Sequence, residues 1–281
     1  MTSMPLRSPS PTDAEPASGK GARQQHAQAV ALMYHAVSRG GDHRYDPRYT
    51  VPERVFGEQL GTIRARVGGA CSARDWLGGH RSANVLLTFD DGLASDHEVS
   101  LPILATHGMT ADFFVNPATV GRPGHVGWEA LREMSAAGMS IQSHGYDHVH
   151  FTSMDPATLR ESLYRARLQI EDRLGTAVTL LAPPGGRMPA GLAETARTAG
   201  YQHVLCSRPG VLHADQSHMP LPRMAVTAGL PARTFAGWIT ARPAKITGAR
   251  LRYGLLQAAR AVIGDARYER LRAGALSHHG R

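Results

Sequence analysis

Long hydrophobic runs are missing from this 281-residue chain, and no window approaches the roughly 20 consecutive apolar residues that a membrane-spanning helix needs. Cysteine is nearly absent. Cys71 and Cys206 lie far apart and outside any C-x-x-C spacing, so neither a disulfide framework nor a zinc ribbon is indicated. Aromatic residues make up only 6%, and no zinc finger, RNA-binding signature or interleaving of aromatic with basic residues speaks for a nucleic-acid partner. The N-terminus carries Arg7 but continues Ser8-Pro9-Ser10-Pro11, without the 7 to 15 apolar residues of a signal peptide. The expectation is a cytoplasmic chain. No internal repeat is visible. What is present is a soluble composition, 42% hydrophobic and 19% charged with a mean hydropathy of -0.27. A net charge of +8 would first suggest an anionic partner, but +6 of it falls in residues 243–281, leaving the body nearly neutral.

Residues 1–28 are rich in Pro, Ser, Gly, Ala and Gln and short of large apolar side chains, so they read as a disordered tail. Beyond them, strand-length apolar runs alternate with amphipathic stretches. The runs are 30–34, 85–89, 111–115, 139–143, 178–181, 203–206 and 224–226. The clearest helix starts with Asp155 as N-cap and Pro156 at its first position and ends before Gly175. Its stripe Leu159, Leu163, Ala166, Ile170, Leu174 has helical spacing. Further helices are expected over 52–67, 96–107, 128–137 and 189–199. About six alternations predict a parallel α/β architecture with its chemistry at the C-terminal strand ends.

Two such ends carry reactive side chains. The run 85–89 ends in Asp90-Asp91-Gly92, and the run 139–143 ends in His144-Gly145-Tyr146-Asp147-His148. Carboxylates at the mouth of a buried strand are costly without a compensating cation, and two imidazoles four residues apart can converge on one metal. Either motif alone has an ordinary explanation, a helix cap or a chance pair among 15 histidines. Together, a carboxylate and two histidines make the three-ligand, open site of a catalytic metal.

Thr88-Phe89-Asp90-Asp91-Gly92 followed by His144-Gly145-Tyr146-Asp147-His148 resembles the polysaccharide deacetylase family, also called the NodB homology domain or carbohydrate esterase family 4. The resemblance covers roughly 30–226. The opening Leu32-Met33-Tyr34-His35 is similar to the branch related to poly-N-acetylglucosamine deacetylases. Gly145 stands where the family has Ser or Thr. The resemblance implies a distorted (β/α) barrel over 29–242, with Asp91, His144 and His148 as metal ligands and Asp90 as general base. The donor set favours zinc, and cobalt or nickel would fit the same residues. The implied reaction removes N-acetyl groups from an amino sugar in a glycan or glycan precursor, with an N-acetylated saccharide as partner.

Two family features are altered. The R-x-P-x-G motif reads Ala182-Pro183-Pro184-Gly185-Gly186: the frame that aims the Gly185 N–H at an oxyanion survives, but the arginine that in the family orients the base is gone, so either Arg187 or Arg223 replaces it or Asp90 is less well tuned. The Leu-x-His of the general acid reads Leu221-Pro222-Arg223. An arginine cannot donate a proton at neutral pH, which leaves His35 as first candidate and His150 and His213 as others. Tyr34, Tyr146 and Trp128 are the candidate sugar platforms. In 243–281, Leu255, Ala259, Val262 and Ile263 recur at helical spacing among arginines. This basic helix either docks on the barrel or lies on an anionic membrane surface, which would place the protein on the inner membrane face. The rival readings are an amide hydrolase of a non-sugar C–N bond and a non-catalytic sugar-binding member of the fold.

Overall fold

The computed structural model describes residues 27–40, 44–216 and 220–263, with backbone alone over 260–263. The expected tail up to residue 26 and the stretch beyond residue 263 lie outside the described residues. Strands β1 (Gln28–Tyr34), β4 (Val85–Phe89), β5 (Asp112–Val115), β6 (Ser140–Ser143), β7 (Leu180–Leu181), β8 (His203–Val204) and β10 (Met224–Ala225) form one parallel sheet in the order β10-β1-β4-β5-β6-β7-β8. Short β9 (Leu212–His213) pairs antiparallel with the start of β1. A bridge between Leu205 and Leu221 brings the two ends of the sheet together. The sheet is therefore curled into a distorted barrel, as expected. A separate parallel pair, β2 (Ala36–Ser38) with β3 (Thr50–Pro52), was not legible in the sequence.

Helices α1 (Glu53–Val67), α2 (Ala73–Leu77), α3 (Leu101–Thr106), α4 (Trp128–Ala136), α5 (Pro156–Leu174), α6 (Leu192–Thr198), α7 (Ala232–Ile239) and α8 (Pro243–Ile263) complete the chain. A π-helical turn, Asp96–Ser100, leads into α3, where the sequence predicted one continuous helix. The cap predicted for α5 is in place: Asp155 Oδ1 accepts the N–H groups of Ala157 and Thr158 at 2.9 and 3.0 Å, and Gly175 ends the helix in the left-handed region.

Strand alternation sorts the core into two layers. Val30, Leu32 and Tyr34 of β1 and Val85, Leu87 and Phe89 of β4 pack outward against the helices. Ala29, Ala31, Leu86, Phe114, Leu180 and Ala182 fill the barrel interior, with Trp76 of α2 in the same cluster. The interior parity continues into the chemistry: Leu86, Thr88 and Asp90 share one side of β4 and its exit, as Ser140, Gln142 and His144 do for β6. No described helix is long and apolar enough to cross a membrane. Helix α8 starts at Pro243, ahead of the helical spacing read at Leu255, and it docks through Ile246, which is buried in the outer core. Leu251 and Leu255 remain 65% and 74% exposed.

Candidate active site

The C-terminal strand ends of β1, β4, β6 and β7 open into one cavity of about 980 Å³, and His35, Asp90, Asp91, His144, His148 and Gly185 all line it. Asp91 and His148 hold backbone φ values of +79° and +63°, a conformation that residues other than glycine adopt at a cost and that clusters at functional sites. These turns bring the His144 and His148 Nε2 atoms to 3.3 and 3.0 Å from Asp91 Oδ1. One donor atom from each of the three residues lies within 4.8 Å of the others. One carboxylate and two imidazoles at that separation fit a divalent ion of the zinc type and leave room for further ligands. Burial alone would push the Asp91 carboxyl up. Hydrogen bonds from His144 and His148 more than offset this and hold it well below the usual carboxylate range.

Asp90 points into the barrel and is almost wholly buried. Arg223, fully buried just ahead of β10, meets it in a fork: Nη1 donates to Oδ1 at 2.7 Å and Nη2 to Oδ2 at 2.8 Å. Nη1 also reaches Thr88 Oγ1 at 3.2 Å, and the guanidinium lies 5.3 Å from the Phe114 ring centroid. Burial raises the Asp90 carboxyl, but the Arg223 charge and hydrogen bonds, together with the nearby histidines, outweigh it and hold Asp90 below its ordinary value. Of the two arginines expected to replace the family's, Arg223 is the one clamped to Asp90. Arg187 lines the cavity wall.

The remaining expectations divide. His35 sits at the cavity with its ring 4.6 Å from that of Tyr49, and its charge acts on both Asp90 and Asp91. His150 also lines the cavity, close to the backbone of Gly185: a Cβ on Gly185 would stand 2.8 Å from His150 Nε2, and the residue has φ +61°. His213 is paired with Gln28 on β9, away from this cavity. The three aromatic platforms are corrected. Tyr34 is fully buried on the helix side, where its hydroxyl donates to Gln59 Oε1 at 2.9 Å, because strand parity turns it away from the interior. Trp128 packs on the outer core beneath Arg173, and Tyr146 lies under Arg165 at 4.2 Å, both outside the cavity. The aromatic residues on the cavity wall are Tyr45, Tyr49, Trp238 and Tyr253. The Tyr45-x-x-x-Tyr49 pair just after the first predicted strand was the available signal.

Sequence reasoning also missed Asp96. Fully buried at the start of the π-turn, it accepts the Leu93 N–H at 3.0 Å and closes the loop that presents Asp90 and Asp91. Burial, with the two neighbouring carboxylates adding to it, raises its pKa well above the ordinary value. Asn116, after β5, donates from Nδ2 to the His144 carbonyl at 2.6 Å and fixes the second loop.

The curled parallel barrel, with an arginine-clamped aspartate beside an Asp-His-His cluster at its strand ends, has the fold of solved polysaccharide deacetylases. Residues 78–204 match the family model described as polysaccharide deacetylase. YxkH of Bacillus subtilis (strain 168), named for the same family, is 25% identical over 224 residues, covering 77% of each chain. Among solved structures, IcaB from Ammonifex degensii is 26% identical with a TM-score of 0.63, covering 76% of this chain and 97% of its own. The Streptococcus pyogenes deacetylase PplD, solved in complex with acetate, shares the fold at TM-score 0.68 and 20% identity, covering 75% of this chain and 98% of its own.

Proposed function

We propose that this chain is a metal-dependent hydrolase that removes an N-acetyl group from an amino sugar in a glycan or glycan precursor, releasing acetate and a free amine. The observation that carries the reading is the convergence of Asp91, His144 and His148 beside an Asp90 held by Arg223, on the floor of one cavity. Asp91, His144 and His148 would hold a divalent ion, zinc by donor type, which when bound polarises water and carbonyl oxygen. Asp90 takes a proton from the water that adds to the acetamide carbon. Arg223 occupies one lone pair on each Asp90 oxygen, so the carboxylate stays oriented and still has lone pairs for that proton. The Gly185 N–H is assigned to the oxyanion, and His35 to the proton that the nitrogen needs as the C–N bond breaks.

Acetate release from a panel of N-acetylated saccharides tests this with wild type, chelator-stripped protein and the variants Asp90→Asn and His35→Gln. Release should require the metal and Asp90, and His35→Gln should lower kcat by about 100-fold, within the usual range for one proton-transfer residue. Tight metal binding with no acetate from any saccharide would overturn the reading.

A further inference from the structure

The cavity reaches well beyond the reacting groups, and its outer wall has a definite charge. Among the described residues, Arg44, Arg48, Arg187, Lys245 and Arg252 stand on that wall against one carboxylate, Asp46, outside the floor. Arg44 faces Glu98 at 3.5 Å. Arg48, Lys245 and Arg252 form no ion pair among the described residues. Arg48 lies on the loop before β3, with its guanidinium 5.5 Å from the Tyr49 ring centroid. The other two come from α8, whose residues Lys245, Ala249, Arg252 and Leu256 step by 4, 3 and 4 and so present one helical face to the cavity. That helix is fixed by Ile246 and by the Lys245 stem packed against Gly237. Three cations without an ion pair among the described residues, one on the loop before β3 and two on α8, surround one concave space, raise the local concentration of anions and reward a ligand that carries one. On the floor, Arg223 already neutralises Asp90, so the wall charge is not spent there.

Resting on the deacetylase reading above, we propose that the saccharide bound here carries an anionic group, phosphate or carboxylate, held by Arg48, Lys245 and Arg252 while its N-acetyl group meets Asp90. Tyr49 and Tyr253 stand on the same wall.

The test is calorimetric binding to the full-length, metal-loaded chain, a readout that does not require hydrolysis. Three probes are compared: N-acetylglucosamine 1-phosphate, a hyaluronan tetrasaccharide with its alternating carboxylates, and neutral tetra-N-acetylchitotetraose. At least one anionic probe should bind 10-fold or more tighter than the neutral one, and which of the two does so identifies the anion. That advantage should shrink several-fold in 0.5 M salt and disappear in the double variant R48Q/R252Q, whose melting curve should stay close to wild type because Arg252 is exposed, Arg48 is only half-buried and neither forms an ion pair among the described residues. Equal or tighter binding of the neutral probe, or no binding of either anionic probe at millimolar concentration, overturns the proposal. So does an anion preference that survives both R48Q/R252Q and high salt. If the double variant fails to fold, the salt dependence of wild type decides. An anion preference without acetate release from any probe would retain this site and remove the deacetylase reading instead.

Discussion

Arg223 reaches Asp90 across 133 positions of sequence and enters from inside the barrel, beneath the strand end it serves. A buried ion pair of this kind is expensive to break from one side, because the surviving charge has no water to return to. Arg223→Met should therefore destabilise the fold by about 3–5 kcal/mol and, with Asp90 no longer held, lower kcat/KM by about 100-fold. Arg223→Met with Asp90→Asn should recover most of the stability and none of the activity, as measured by urea unfolding and acetate release. A double variant no more stable than Arg223→Met would mean that the arginine acts through its packing on Phe114 and not through the pair. The residue types of the reacting groups could be read from two motifs, because a carboxylate pair and a histidine pair both fall at C-terminal strand ends of one architecture. The clamp could not. Nothing local marks Arg223, and the sequence left it level with Arg187, whose position beside the Pro-Pro-Gly-Gly frame was the nearer match.

The loop after β6 explains the departure from the family pattern at Gly145. Its φ is +80°, and a Cβ there would stand 2.7 Å from Phe151 Cε1 and 2.9 Å from Cζ. Phe151 belongs to a short 3-10 turn over 151–153 and is itself buried, so it cannot step aside. Gly145→Ser would restore the family's residue type and yet should cost about 2 kcal/mol, from left-handed strain plus overpacking. Adding Phe151→Ala should not restore full stability, since it removes the clash but not the strain and opens a cavity of its own. Denaturant midpoints of the three proteins check this; an unchanged midpoint for Gly145→Ser would show that the loop has another conformation. Element existence was largely legible, because buried parallel strands are continuous apolar runs and α5 announces both of its ends. Side-chain direction was less so. Tyr34 was a candidate platform, whereas the two-residue alternation that puts Val30 and Leu32 on the helix side puts Tyr34 there as well.

Across the whole molecule, the sheet and its surrounding helices are tied by Asp112, fully buried on β5, whose carboxylate accepts the N–H groups of Ala73 and Arg74 at the start of α2. Burial raises its pKa from 3.8 to about 6 against those hydrogen bonds. The folded chain therefore keeps a proton that the unfolded chain has already released between those values, and stability falls as pH rises from about 4 to about 6. The change attributable to this one group is on the order of 3 kcal/mol. Asp112→Asn should flatten that part of the profile, as read from denaturant midpoints at pH 4, 5, 6 and 7; an equally steep variant would assign the slope elsewhere. What the sequence determined by itself is the alternating architecture, the two reactive strand ends and the kind of chemistry they support, because periodicity and residue type are local properties. The tertiary structure decided which arginine clamps Asp90, which aromatic residues face the cavity, and that α8 supplies part of its wall. Those depend on where the curled sheet closes and on which way each side chain leaves the backbone, and residues that meet there are far apart in the chain.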